Sequence, residues 1–65
     1  MRIEVNGEAR EVTATTVAAA LTELGLATAR IATALNGTFV PKAARGGTRL
    51  TAGDRLEVLA PMQGG

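Results

Sequence analysis

The sequence contains no cysteine, histidine, tryptophan or tyrosine, and Phe39 is its single aromatic residue. Without cysteine there is neither a disulfide framework nor a thiolate nucleophile, and without histidine the commonest general base and the usual zinc ligands are missing. One ring cannot stack a series of bases, which argues against binding of RNA or single-stranded DNA. We therefore expect a protein that is not an enzyme and that holds no metal, no bound cofactor and no nucleic acid.

Strong charge of one sign and long apolar runs are also missing. Seven basic residues and six acidic residues give a net charge of +1, and the arginines are scattered, so we expect them to be solvated. The uncharged run at residues 12–22 is too short to span a bilayer. The first ten residues carry charges and alternate in polarity, unlike a signal peptide. These features predict a cytoplasmic protein without a membrane partner.

Alternating polarity and turn residues predict a strand-rich chain. Asn6-Gly7 and Asn36-Gly37 are strong turn signals, because both residue types tolerate positive φ. The predicted strands are residues 1–5, 8–13, 31–35, 38–40 and 55–60. In the last strand, Leu56, Val58 and Ala60 are expected on the core side.

A single short helix is predicted between the second and third strands. Thr15 or Thr16 supplies a hydroxyl N-cap, and Gly25 supplies a left-handed residue after the helix. Residues 42–48 are predicted to be a polar connection in which Gly46-Gly47 gives loop flexibility, followed by Leu50 as a core residue.

One amphipathic helix needs one sheet to cover its apolar stripe, so the expected fold class is α+β. The prediction is a mixed sheet of four to five strands packed on one main helix. If the last strand pairs with the first in parallel, the arrangement is the ubiquitin-like β-grasp fold. At 65 residues there is room for one domain, assigned to residues 1–60. Residues 61–65 are expected to form a flexible C-terminal tail.

The sequence ends in Pro61-Met62-Gln63-Gly64-Gly65, directly after the last predicted strand. Two residues without side chains make the chain end narrow. The α-carboxylate of Gly65 could therefore enter a narrow channel in another protein. Glycine-rich chain ends are also common without any function. The absence of a linker between strand and tail favours the functional interpretation, in which Gly65 is activated as an acyl donor.

Four segments resemble the ThiS family of sulfur carrier proteins of thiamine biosynthesis. They are "EVNGEAREV" at residues 4–12, "TTVAAALTELGL" at 15–26, "ALNGTFVP" at 34–41 and "GDRLEVLAPMQGG" at 53–65. The last segment is the most specific, whereas the helix is generic. The resemblance implies a ubiquitin-like β-grasp fold and a carrier that partner enzymes act upon.

The resemblance also implies the chemistry of Gly65. A ThiF-like adenylyltransferase would use ATP and Mg²⁺ to adenylate the Gly65 carboxylate. Sulfur relayed from a cysteine desulfurase would convert it to a thiocarboxylate, which a ThiG-like thiazole synthase would use to build the thiazole of thiamine. Gly64 would thread the partner's active site, with Gln63 and Met62 at its mouth. The free carrier is expected to be a monomer.

Residue Leu59 adds a prediction from the strand pattern itself. It falls on the face opposite the expected core, so it forms an exposed apolar spot near Met62 and is a candidate partner contact. Single exposed apolar residues are also ordinary on protein surfaces.

Three alternatives share this sequence pattern. The small subunit of molybdopterin synthase has a similar end, although its tail typically reads "PPVSGG" or "PPVAGG", whereas here Pro61 precedes "MQGG". A ubiquitin-like protein modifier would use the same tail to form isopeptide bonds with lysine. A plain β-grasp interaction module would need no chemistry at Gly65.

Overall fold

The computed structural model describes residues 1–28 and 30–60 of the chain, and five strands in it form one sheet. The strands are β1 (Arg2–Val5), β2 (Glu8–Glu11), β3 (Ala32–Leu35), β4 (Thr38–Val40) and β5 (Arg55–Leu59). Between β2 and β3 lies the helix α1 (Val17–Glu23). The α+β prediction of one sheet and one main helix is therefore confirmed.

The strand order across the sheet is β2-β1-β5-β3-β4, so the last strand of the chain lies in the middle. β5 runs parallel to β1, with Val5 opposite Leu56. β5 runs antiparallel to β3, with Ala32 opposite Leu59. The two Asn-Gly turns close the outer hairpins β1–β2 and β3–β4. This is the mixed sheet expected for a β-grasp domain.

Both ends of α1 are fixed as the residue types predict. Thr16 is the N-cap, and its hydroxyl accepts a hydrogen bond of 3.2 Å from the Ala19 backbone N–H. Gly25 adopts φ +74°, and the N–H of Leu26 then bonds back to the carbonyl of Leu21 at 2.8 Å. A helix of seven residues is unstable alone, so its stability comes from packing on the sheet.

The core is a layer of aliphatic side chains between α1 and one face of the sheet, here called the covered face. Its buried members are Ile3, Val5, Val12, Val17, Ala20, Leu21, Leu50, Leu56 and Val58. β2 contributes no buried residue, and the core contact of that segment comes from Val12, which follows β2. Ala60 was expected on the core side, but it lies beyond the end of β5 and is exposed.

The connection after β4 is a 3₁₀ helix, Lys42–Gly47, where the sequence predicted a flexible polar loop. Arg45 within it is only 9% exposed, so the expectation that all arginines are solvated is wrong. Its Nε donates to the Thr33 hydroxyl at 3.0 Å, and its Nη2 donates to the Ile31 carbonyl at 2.7 Å. The Thr33 hydroxyl in turn donates to the Val40 carbonyl at 2.8 Å. These bonds compensate for burying the guanidinium and tie the connection to β3 and β4.

No helix in residues 1–28 or 30–60 is long and apolar enough to cross a membrane.

Candidate functional site

β5 is the structural base of the predicted functional tail. It is bonded on both edges, to β1 and to β3, and it ends at Leu59, six residues before Gly65. The predicted site residues Met62, Gln63, Gly64 and Gly65 lie outside the described residues, as does the tail assignment 61–65, so these remain predictions. What the structure describes is the platform from which the tail departs.

The Asn6 side chain holds β5 close to that departure point. Asn6 adopts φ 50° at the turn that takes β1 out of the sheet. Its backbone N–H bonds to the Leu56 carbonyl at 3.0 Å. The side-chain oxygen of Asn6 accepts a hydrogen bond of 2.8 Å from the Val58 N–H, and its side-chain nitrogen donates one of 3.1 Å to the Val58 carbonyl. The amide group thus continues the β1–β5 pairing by one step after the β1 backbone has turned away.

Asn36 makes a similar contact at the opposite end of β5. It adopts φ 51° in the second turn, and its side-chain oxygen accepts the Arg55 N–H at 2.9 Å. Its side-chain nitrogen donates to the Asp54 carboxylate at 3.0 Å. Asn6 and Asn36 both have the positive φ that the sequence predicted, and their side chains also form hydrogen bonds with the backbone of β5. Turn statistics alone could not reveal these bonds, because they join residues distant in sequence.

The face of the sheet opposite α1 is open, and it carries both large hydrophobic residues that are exposed in the described part of the chain. Leu59 is 68% exposed and Phe39 is 65% exposed. Ala32 lies opposite Leu59, and Ala34 lies opposite Phe39. These four residues are called the open-face patch. The exposure predicted for Leu59 is observed, whereas its role as a partner contact remains a prediction.

Phe39 was not identified from the sequence as part of this surface. The signal was present in the alternation of Thr38-Phe39-Val40, because burial of Val40 requires Phe39 to face the other way. Both residues are hydrophobic, so the alternation alone does not tell which of the two is buried.

The rim of the open-face patch is shallow and carries charge. Arg30, Ile31, Ala32 and Leu59 line an open depression of about 510 Å³. Glu57 lies opposite Ala34 and precedes Leu59 by two residues on the same face of β5. An apolar centre with charges of both signs at its edge is suited to contact another protein surface.

One carboxyl group in the described residues has a clearly altered pKa, and it belongs to Glu23 at the end of α1. The backbone N–H of Thr13 holds the pKa of the Glu23 carboxyl below its usual value, with further hydrogen bonds from the Ala14 N–H and the Thr13 hydroxyl. The bond from Thr13 N–H to Oε2 is 3.0 Å. Glu23 therefore fastens the end of α1 to the segment after β2.

In residues 1–28 and 30–60, no group of three or more acidic side chains is placed so that it could hold a metal ion.

Comparisons with known proteins point to one family. The model of the ThiS family matches residues 3–65. The crystal structure of the thiamine biosynthesis protein ThiS from Geobacter metallireducens is 32% identical, with both chains covered completely and a TM-score of 0.84. An NMR solution structure of a thiamine biosynthesis protein from the same organism is also 32% identical. It covers all of this chain and 88% of that one, with a TM-score of 0.79. A sequence search among curated proteins gave no match.

Proposed function

The chain belongs to the ThiS family of small sulfur carrier proteins, and from that premise we propose that Gly65 carries sulfur for the synthesis of the thiazole ring of thiamine. The observation that carries the proposal is the family match over residues 3–65, which extends through the terminal Gly64-Gly65 pair. The complete coverage of a thiamine biosynthesis protein by this chain favours thiamine over molybdopterin as the pathway.

The proposed reaction begins with activation of the Gly65 carboxylate. A carboxylate is a poor electrophile, so a ThiF-like adenylyltransferase uses ATP and Mg²⁺ to form the acyl-adenylate and releases pyrophosphate. The outer sulfur of a persulfide, relayed from a cysteine desulfurase, attacks the acyl carbon, and AMP leaves. The resulting acyl disulfide is cleaved by a second thiol of the partner proteins, which releases the thiocarboxylate and forms a disulfide between the two partner thiols. A ThiG-like thiazole synthase then takes up that sulfur. The carrier itself contributes the acyl group and no catalytic side chain.

The fold supports this proposal because β5 provides a rigid base for the tail. β5 is bonded on both edges, so the position from which the tail leaves is fixed relative to the rest of the domain. Between Leu59 and Gly65 an extended chain spans at most about 22 Å, at roughly 3.3 to 3.6 Å per residue. An enzyme that acts on Gly65 must therefore come close to Leu59.

We propose that Leu59, Met62, Gln63 and Gly64 contact the activating enzyme. Leu59 is well exposed and lies in the open-face patch, where an apolar partner surface could cover it. The carrier is proposed to act in the cytoplasm as a monomer when free, where ATP is available for its activation.

Intact-protein mass spectrometry tests the proposed chemistry. The chain is co-expressed with its adenylyltransferase and a sulfur donor, and the C-terminal peptide is expected to show replacement of one oxygen by sulfur. The matched control lacks only Gly65 and should remain folded without acquiring sulfur. Unmodified full-length protein under these conditions would contradict the proposal, and lysine-linked conjugates would identify a protein modifier instead.

A further inference from the structure

The Asn6 amide does more than a turn requires. A type I′ turn needs residues that tolerate positive φ, and glycine would meet that need at position 6 as well as asparagine does. The side chain adds a matched pair of hydrogen bonds to Val58, a residue 52 positions away. These bonds lie at the tail end of β5 and not within the turn itself.

The Asn6 bonds replace backbone pairing that β1 no longer provides. Successive residues of a strand direct their N–H and C=O groups to alternate edges, so Val58 faces the β1 side while Glu57 and Leu59 face β3. The last paired residue of β1 is Val5, opposite Leu56. Beyond Leu56, the described hydrogen bonds on the β1 edge of β5 are those from the Asn6 amide. Without that amide, both backbone groups of Val58 lose their protein partner.

We propose that Asn6 is a positioning residue for the reaction at Gly65, because it fixes the end of β5 from which the tail enters the activating enzyme. The proposal rests on the proposed function of Gly65. If the strand end is already ordered before binding, the enzyme does not have to supply the free energy for ordering it. Loosening the strand end should therefore weaken capture of the carrier and leave the chemical step in the bound complex unchanged.

The chain provides its own matched control in Asn36. It occupies the equivalent turn position with φ 51°, compared with 50° for Asn6, and its side chain also bonds to the β5 backbone. However, it holds Arg55 at the start of the strand, away from the tail. Asn6→Gly and Asn36→Gly thus make the same chemical change at opposite ends of β5, and glycine accommodates both turns without strain.

The experiment measures ATP–pyrophosphate exchange catalysed by the activating adenylyltransferase with each carrier variant as substrate. We expect Asn6→Gly to raise the KM for the carrier about five- to tenfold, from the loss of two hydrogen bonds, and to change kcat less than about twofold. Asn36→Gly should change both constants less than about twofold. Circular dichroism at the assay temperature must show both variants folded, because an unfolded fraction would itself raise the apparent KM.

A second variant and a second measurement cover the case in which Asn6→Gly folds poorly. Asn6→Asp tolerates the same turn and keeps the acceptor for the Val58 N–H, so its KM should lie between those of wild type and Asn6→Gly. Amide hydrogen exchange should be faster at Val58 in Asn6→Gly than in wild type, and unchanged there in Asn36→Gly.

Each outcome of the exchange assay has one interpretation. Equal KM values for the two glycine variants, or a loss in kcat without a change in KM, would overturn the positioning role while leaving the carrier function intact. If wild-type protein supported no exchange at all, the proposed function would fail and the positioning role with it.

Discussion

Leu56 and Leu59 lie three residues apart on the same strand, yet Leu56 is completely buried against α1 and Leu59 is 68% exposed on the opposite face. The difference follows from strand geometry, which directs successive side chains to opposite faces. A domain of this size has few aliphatic residues to spare for its core. The comparison teaches that the two sides of β5 differ, since its covered side supports the fold and its open side exposes the leucine that we propose as a partner contact.

The sharpest way to test that comparison is to shorten each leucine in turn. Leu56→Ala should destabilise the domain by about 3 kcal/mol, because it opens a cavity in the core. That is a large share of the roughly 5 kcal/mol expected at the lower end for a small domain. Chemical denaturation followed by circular dichroism measures the free energy of unfolding.

The matched change, Leu59→Ala, should alter the free energy of unfolding by less than about 0.5 kcal/mol. It should instead raise the KM of the carrier in the exchange assay, about threefold to tenfold if Leu59 is a well-packed contact. Equal stability of the two variants would contradict the division between the faces, and an unchanged KM would remove Leu59 from the proposed contact.

A polar interaction on the covered side provides the next prediction. Arg45→Met keeps much of the apolar stem but removes the donors to Ile31 and Thr33, so we expect a loss of about 2 kcal/mol. Arg49→Met is the control, because Arg49 is exposed and should change stability by less than about 0.5 kcal/mol. If both variants lost the same stability, the buried bonds of Arg45 would not be the cause.

The smallest effect concerns Glu23, which fastens α1 to the chain after β2. The folded pKa is lowered, so the ionised carboxyl contributes stability above its unfolded pKa, near 4.5, and the contribution is lost as pH falls through the folded pKa. Thermal melts should show Glu23→Gln below wild type at pH 7, and the gap should close in acid. A gap that persisted unchanged in strong acid would contradict this assignment.

Local sequence signals predicted most of the fold. Asn6-Gly7 and Asn36-Gly37 fixed the two hairpins, and Thr16 and Gly25 marked the ends of α1. These signals succeed because each depends on the φ preference or hydrogen-bonding group of one residue. The need to cover one helix with one sheet predicted the layers but not the parallel pairing of β5 with β1, which was expected only from the family resemblance.

The features that sequence reasoning missed depend on distant residues. Arg45 is buried because Ile31 and Thr33 provide acceptors only after β3 has folded beside the 3₁₀ helix. The glycines at 46 and 47 indicated a flexible loop, yet the segment is a 3₁₀ helix. The bond between Asn6 and Val58 spans 52 residues. The chemistry of Gly65 was predicted from the tail and the family resemblance, and it remains a prediction.

The central position of β5 also determines when the sheet can be completed during synthesis. The two hairpins are made early, but they flank β5 on opposite sides and do not pair with each other. Because translation proceeds from the N-terminus, the strand that joins them leaves the ribosome after both. A nascent chain therefore cannot complete its sheet before β5, the strand that precedes the diglycine, has been synthesised. An activating enzyme that recognises the folded domain would not bind unfinished chains.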